Sequence, residues 1–523
     1  MTEDVTADVV VAGAGHNALI AAAYLARAGK QVVILDARSI PGGGVATEEL
    51  VPGCFMDSCS TGHTLIQSNP VIRDDTLGLV AEHGLRYVDP DPVARVSFPD
   101  GEQIGMHLDP ERTYAELARF SPVDADRYLT FLEQWDQAKT AFWASNNTPI
   151  GWGPSLDQLL DALPDGGVWR RRRSLSALEV IRHEFREEHV QAFLLWEACQ
   201  TFGSVDLPGS GAMPYSIMGG RQARSWTIPL GGSGRLTDAL VSVIERAGGV
   251  IHCSTRVDKL LLDGERCVGV AATDGRRFLA RDAVLSTIHV KHLVDMAPRE
   301  LWGSAFTYGV DTYDIGIPLF AVFLVMNEVP TFRGLRAEDT AVSSGLARWP
   351  HEVVEQIRDI RDRKPVTGSA WTLVATPSIV DPSRAPEGKH TVKLLVPCSH
   401  VAPYGHADWD AAKEQHADAM VDYVRTAMPN VEPSTIEARI VKSPLDIERG
   451  NPHMINGCAH GGDKGVPFSG PLRPAPGWAT HRMPIAGLYQ TGGTTHPGGS
   501  ITGSPGRNAA MVLMADLGLD FPG

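Results

Sequence analysis

The chain has 523 residues, 43% hydrophobic and 21% charged, and its 47 basic and 62 acidic side chains leave a net charge of -15. This composition can bury a large core and excludes wholesale disorder. The acidic balance excludes non-specific nucleic-acid binding, which needs a positive surface. Seven cysteines without a CxxC pair make no disulfide framework, so a cytoplasmic, reducing compartment is the expectation. The acidic start Met1-Thr2-Glu3-Asp4-Val5 lacks a signal-peptide n-region, and no run of apolar residues is long enough for a membrane span.

Residues 8–12 (DVVVA) form a β-branched run that reads as a buried parallel strand. Gly13-Ala14-Gly15-His16-Asn17-Ala18 follows, then an Ala-rich helix over 19–28 stopped by Gly29, then a strand over 31–35 ending at Asp36. Strand, glycine turn, helix, strand and terminal acid together make a dinucleotide-binding βαβ unit. Gly13 permits the tight turn and Gly15 lets the backbone approach a pyrophosphate. The helix N-terminus offers free N–H groups, and Asp36 can accept ribose hydroxyls. A second glycine cluster, Pro41-Gly42-Gly43-Gly44, favours FAD over a nicotinamide cofactor, because it brings more backbone to the pyrophosphate.

Further on, the loop 229–236 leads into a helix over 237–247. Strands are expected at 250–253, 257–262, 267–273, 278–280 and 282–286. The chain's far end repeats the strand–glycine loop–helix pattern, with a strand at 484–489, glycines from Gly492 to Gly503 and a helix at 504–517.

These blocks resemble the phytoene desaturase-like, carotenoid oxidoreductase-like branch of the flavin amine oxidase superfamily. The resemblance is carried by Gly13 to Ala18, Asp36 with Pro41 to Gly44, Pro229 to Leu236 and Thr495-His496-Pro497-Gly498-Gly499. It implies an α/β fold: a Rossmann-like FAD-binding domain from 1–100, 225–300 and 475–523, and an α+β substrate domain from 101–224 and 301–474. By position it places Gly13, Gly15, His16 and Asn17 along the pyrophosphate and Asp36, Ala37 and Arg38 at the adenosine ribose. Gly43, Gly44 and Val45 would run under the pyrophosphate, and Val257 would touch adenine. Gly493 would contact the phosphates, with Gly498, Ser500, Ile501 and Thr502 near the flavin ring. Ala18 replaces the third glycine of the fingerprint, and Gly44 stands where an arginine often follows the glycine pair.

In the intervening segments, helices are expected at 111–119, 125–144, 177–199 and 411–427, and strands at 320–325, 370–375 and 391–397. The stretch 57–66 resembles the family's segment near the flavin, which makes His63 a candidate acid/base beside His496. Tyr215, Arg221, Arg224 and Trp226, read as a loop, are substrate candidates for an anionic or ring-containing molecule. Cys54, Cys59 and His63 lack a fourth ligand, so no metal is expected. The basic run Trp169-Arg170-Arg171-Arg172-Arg173 reads as a solvated face or subunit contact, with membrane docking the lesser alternative.

The resemblance implies a hydride moving from a substrate C–H bond to flavin N5, with α,β-desaturation of an apolar or cyclic small molecule. An external electron acceptor (oxygen, a quinone or a carrier) is then needed, and the chain is a candidate homo-oligomer. The alternatives are a flavin amine oxidase, a redox-neutral FAD isomerase, or a non-catalytic flavin-fold partner.

Overall fold

The computed structural model describes residues 4–200 and 203–522. Two seven-stranded sheets organise it. In the first, the β-branched strand Val5–Ala12 lies between Val32–Leu35 and Arg277–Ser286, all parallel, and Val250–His252 extends the Val32–Leu35 edge. Burial on both faces explains the unbroken apolar runs; Val9, Val10 and Val11 are wholly buried. The antiparallel hairpin Val257–Asp263 and Arg266–Ala272 adds to one half of Arg277–Ser286. Leu488–Gln490 adds parallel to its other half. Three distant segments therefore build one sheet.

Helices His16–Arg27, Gly234–Arg246 and Ser504–Asp516 pack together on this sheet. The contact is close because of Gly506, where a Cβ would sit 2.3 Å from the Asn17 carbonyl oxygen. Asn17 also accepts the Gly506 N–H at 3.2 Å, tying the chain's first helix to its last.

The second sheet runs in the order Ile436–Lys442, Leu319–Met326, His390–Pro397, Trp371–Ala375, Ser343–Ala347, Ala94–Ser97 and Gln103–Met106. All neighbours are antiparallel except Ser343–Ala347 with Ala94–Ser97. A boundary at residue 100 thus cuts a hairpin, because Ala94–Ser97 and Gln103–Met106 both belong to the second sheet. Trp302, Phe306 and Val310, placed after residue 300, pack instead into the first sheet's core.

Other sequence expectations are corrected by particular residues. The strands expected at 278–280 and 282–286 are one strand, continuous through a bulge where Ala7 pairs Ala280 and Val9 pairs Ala283. The helix expected over 177–199 is two, Ala177–Glu184 and Glu188–Cys199. Buried Asp124 breaks it by accepting the N–H groups of Arg186 and Glu187, and the Glu187 side chain then caps the second helix. The helix expected from 237 begins at Gly234, and the one expected from 19 begins at His16. The strand expected at 484–489 is confined to Leu488–Gln490. Among the described residues no helix is long and apolar enough to cross a membrane.

Candidate cofactor and substrate cleft

The parallel strands of the first sheet end together. Ala12 leads to Gly13, Leu35 to Asp36 and Ser286 to Thr287, and all three following residues line one cleft with about 1740 Å3 of empty space including its mouth. Ligands of open α/β sheets bind at such carboxyl ends.

Gly13, Gly15, His16 and Asn17 form its floor. Helix His16–Arg27 has no side-chain cap and no acid in its first turn, so its leading N–H groups keep their positive field for a bound anion. Gly13 has φ +101°, and a Cβ there would lie 2.2 Å from Thr287 Oγ1. Gly43, at φ +62°, packs so that its Cβ would lie 3.1 Å from Gly15 Cα. The two glycine loops touch, bridged by the Gly42 N–H donating to the Ala14 carbonyl at 2.7 Å.

Asp36 closes one end. Its two oxygens accept the Ala14 N–H at 2.7 Å and the Arg38 N–H at 2.8 Å. Burial raises its carboxyl against the lowering effect of those donors. The Arg38 guanidinium donates to the Gly43 carbonyl and pairs with Glu48 at 3.2 Å. Its head therefore braces the glycine loop.

Gly44, Ala37, Val257, Gly493, Ser500 and Ile501 also line the cleft. Three expected cofactor residues lie off its lining. The carbonyl of Val45, a fully buried residue, accepts from Thr237 Oγ1; Thr502 gives its carbonyl to Asn69; and Gly498 packs on the Arg473 guanidinium.

At its other end the cleft meets the second sheet. Leu319, Trp371, Leu373 and Leu395 form an apolar wall there. Leu373 and Leu395 are direct cross-strand partners, and Trp371 precedes Leu373 by one pleat, so they share a face. Trp226 joins them by lying against Gly62, where a Cβ would come within 2.2 Å of the indole. Gln200 and Lys393 are the polar side chains beside this wall.

Lys393 is the lone charge in an apolar strand. Buried, it donates to the Cys59 carbonyl at 2.6 Å and to Thr61 Oγ1 at 2.7 Å, holding the 57–61 loop against the sheet. The loop's Asp57 is buried with Arg384, 2.6 Å away, and also accepts from Thr47 Oγ1 and the Ser233 N–H. Burial opposes its ionisation, but Arg384 and Lys393 hold its carboxyl below the usual range.

Neither expected acid/base residue faces the cleft. His63 is fully buried, with Nε2 2.7 Å from Ser233 Oγ and Nδ1 3.2 Å from Tyr87 Oη. His496 Nε2 donates to the Ser145 carbonyl at 3.0 Å. Of the substrate candidates, Trp226 lines the cleft. Tyr215, Arg221 and Arg224 lie on helix Met213–Arg224, not in a loop. Tyr215 stacks on Phe131 and donates to Glu184; Arg221 forms a buried pair with Glu197 at 2.8 Å; Arg224 turns outward to Asp89. The basic run sits on helix Gly166–Ser174, where Arg170 and Arg173 pair with Asp157, Arg172 pairs with Glu184 and Trp169 is buried.

The histidines that do line the cleft are His16, His289, His292, His453 and His460. Burial lowers His16 and His453 to about 4 and His460 to about 3, and pushes His289 well below its usual value. These four imidazoles are neutral at pH 7. His289 Nε2 is buried without a hydrogen-bond partner, a free polar atom at the cleft.

Neutral burial makes stability depend on pH. An unfolded histidine titrates near 6.5, so below that pH the unfolded chain binds protons that folded His16, His453, His460 and His63 refuse. Their contribution is complete above pH 6.5 and is lost as pH falls toward about 4. Thermal melts of the apoprotein should give a steadily falling Tm from pH about 6.5 to about 4.5. A flat Tm across that window contradicts neutral burial of this set.

The fold and cleft define a two-sheet, dinucleotide-binding α/β oxidoreductase. The chain matches the family model for flavin-containing amine oxidoreductases over residues 19–512, and it belongs to that family. It is 27% identical to a limonene dehydrogenase polypeptide of Castellaniella defragrans, across 100% of this chain and 97% of that one. It is 25% identical to the neurosporene-forming phytoene desaturase of Cereibacter sphaeroides, across 98% and 95% of the two chains. The fold matches the solved cyclohexylamine oxidase of Brevibacterium oxydans with a TM-score of 0.58 at 15% identity, over 99% of this chain and 100% of that one. The resemblance to the desaturase-like branch therefore holds.

Proposed function

We propose that the protein is an FAD-dependent dehydrogenase or desaturase acting on a C–H bond of an apolar or cyclic small molecule. The single observation that carries this reading is the joining, in one cleft, of a glycine-floored anion site to an apolar wall. The residues fit FAD: the uncapped helix and Gly13, Gly15 and Gly43 suit a pyrophosphate, and Asp36 suits a ribose. Bound there, FAD would supply the two-electron acceptor.

The chain's own residues do the rest. Leu319, Leu373, Leu395, Trp371 and Trp226 bind and orient an apolar molecule and exclude water. The wall offers no carboxylate for an ammonium group; the one acid lining the cleft, Asp36, lies at its far end. That favours C–C over C–N oxidation. No strong base faces the wall either, because the Lys393 donors are engaged and His460 stays neutral and weakly basic. An activated C–H, allylic or beside a carbonyl, suits such a site. The limonene dehydrogenase and phytoene desaturase relatives, named for apolar cyclic and polyene substrates, are consistent with it. An external electron acceptor completes turnover.

The test is anaerobic bleaching of the flavin absorbance with cyclic ketones, cyclic olefins, polyenes and amines. Bleaching by a carbonyl or olefin class supports the reading, and bleaching by amines alone overturns it. His63→Asn should leave the bleaching rate within about tenfold, because a general base contributes ~100-fold or more and His63 does not reach the cleft. A loss of about 100-fold in a folded, flavin-loaded variant contradicts this placement.

A further inference from the structure

Arg473 is fully buried, and its N–H groups all go to backbone carbonyls. Nε donates to Gly493 at 3.0 Å, Nη1 to Asp463 at 2.7 Å and Phe468 at 2.9 Å, and Nη2 to Gly461 at 3.2 Å and again to Gly493. None of the described carboxylates lies within ion-pair distance of it. The Asp463 side chain is engaged elsewhere, by Ser204 Oγ and the Gly465 N–H. Gly493 lines the cleft, as does His460, adjacent to Gly461.

A buried guanidinium with satisfied donors but no counter-charge is costly unless an anion lies within its field. The carbonyls bend toward Arg473, and peptide planarity turns the next N–H of each, on Thr494 and Gly462, away from it. Neither N–H has a backbone acceptor among the described residues. The guanidinium therefore does two things: it fixes the C-terminal glycine loop and leaves one net positive charge behind the cleft wall.

We infer that Arg473 is a positioning residue for the cofactor, holding the Gly493 wall and electrostatically favouring the reduced, more anionic form of bound FAD. This rests on the FAD reading above. Reduction adds negative charge, and a fixed cation in a water-poor wall stabilises it without reorganisation.

The experiment compares wild type, R473K and R473M, each loaded with FAD, by spectroelectrochemical titration of the flavin and by fluorescence titration of FAD affinity. R473M should lose about tenfold of the preference for reduced over oxidised flavin, a midpoint ~30 mV more negative for a two-electron couple. R473K keeps the charge but loses most of the carbonyl bonds. It should melt lower and bind FAD more weakly, with its potential near wild type. A loaded R473M at the wild-type potential, with only weaker binding, overturns the inference and leaves Arg473 a structural staple. Should R473M fail to fold, R473Q gives the same comparison with the same overturning result. Wild-type protein that takes up no FAD overturns the function proposed above as well, which separates the two failures.

Discussion

Gly15→Ala should abolish tight FAD binding while leaving the apoprotein as stable as wild type. At Gly15 the backbone is at φ -67°, which any residue adopts, and a Cβ would meet no atom within 4 Å. The space it enters belongs to the cleft floor. Folding costs should therefore stay within about 0.5 kcal/mol, as at an unconstrained site. Binding should suffer because the methyl holds an anion off the helix N-terminus. Losing one or two charge-assisted hydrogen bonds at about 1.5–3 kcal/mol each weakens affinity roughly 10- to 1000-fold or more. Gly13→Ala is the contrast. There φ is +101° and a Cβ would collide with Thr287 Oγ1 at 2.2 Å, so folding and binding should fall together. Paired thermal melts and FAD titrations distinguish the two. A Gly15→Ala protein that binds FAD like wild type contradicts the placement of the anion at this helix.

The largest stability loss should come from the Asp57–Arg384 pair. Both side chains are almost fully buried, and they join the Cys54–Asp57 hairpin to the segment leading into the His390–Pro397 strand. Removing one partner strands a charge, so Arg384→Met and Asp57→Asn should each cost about 3–5 kcal/mol. The double variant should cost less than the sum by about 1–3 kcal/mol, because the second change removes the stranded charge. Denaturant unfolding of the four proteins closes the cycle. Additive losses contradict a coupled pair. The same network positions the cleft: Lys393 holds the 57–61 loop, and Gly62 beyond it carries Trp226 to the apolar wall.

Local rules explain what was legible in the sequence. The Gly13–Ala18 turn, the Asp36 terminus and the Pro41–Gly44 cluster each express a backbone demand within a few residues, and all come together at the cleft. The discontinuous first sheet was legible for the same reason, since each strand carries its own apolar run. Side-chain facing was not. His63 stands in a segment that borders the cleft, but its ring turns to Ser233 and Tyr87, which are distant in sequence. Arg221 looked available until the fold set Glu197 beside it. The cleft histidines His453 and His460 were missed because 451–463 has neither helical nor strand periodicity. Lys393 did leave a signal, a single charge inside the apolar run 391–397, and a buried lysine in a strand demands partners. The break at 185–187 had no such mark, because the carboxylate that enforces it comes from Asp124, on another helix.

The central claim is that this cleft holds FAD and reduces it with an apolar substrate. It is tested most directly by the absorbance spectrum of the purified protein, before and after FAD is added and then anaerobically with cyclic ketones and olefins. The account predicts oxidised-flavin bands that remain with the protein through gel filtration and bleach with that substrate class. A protein that retains no flavin, and takes none up, contradicts it.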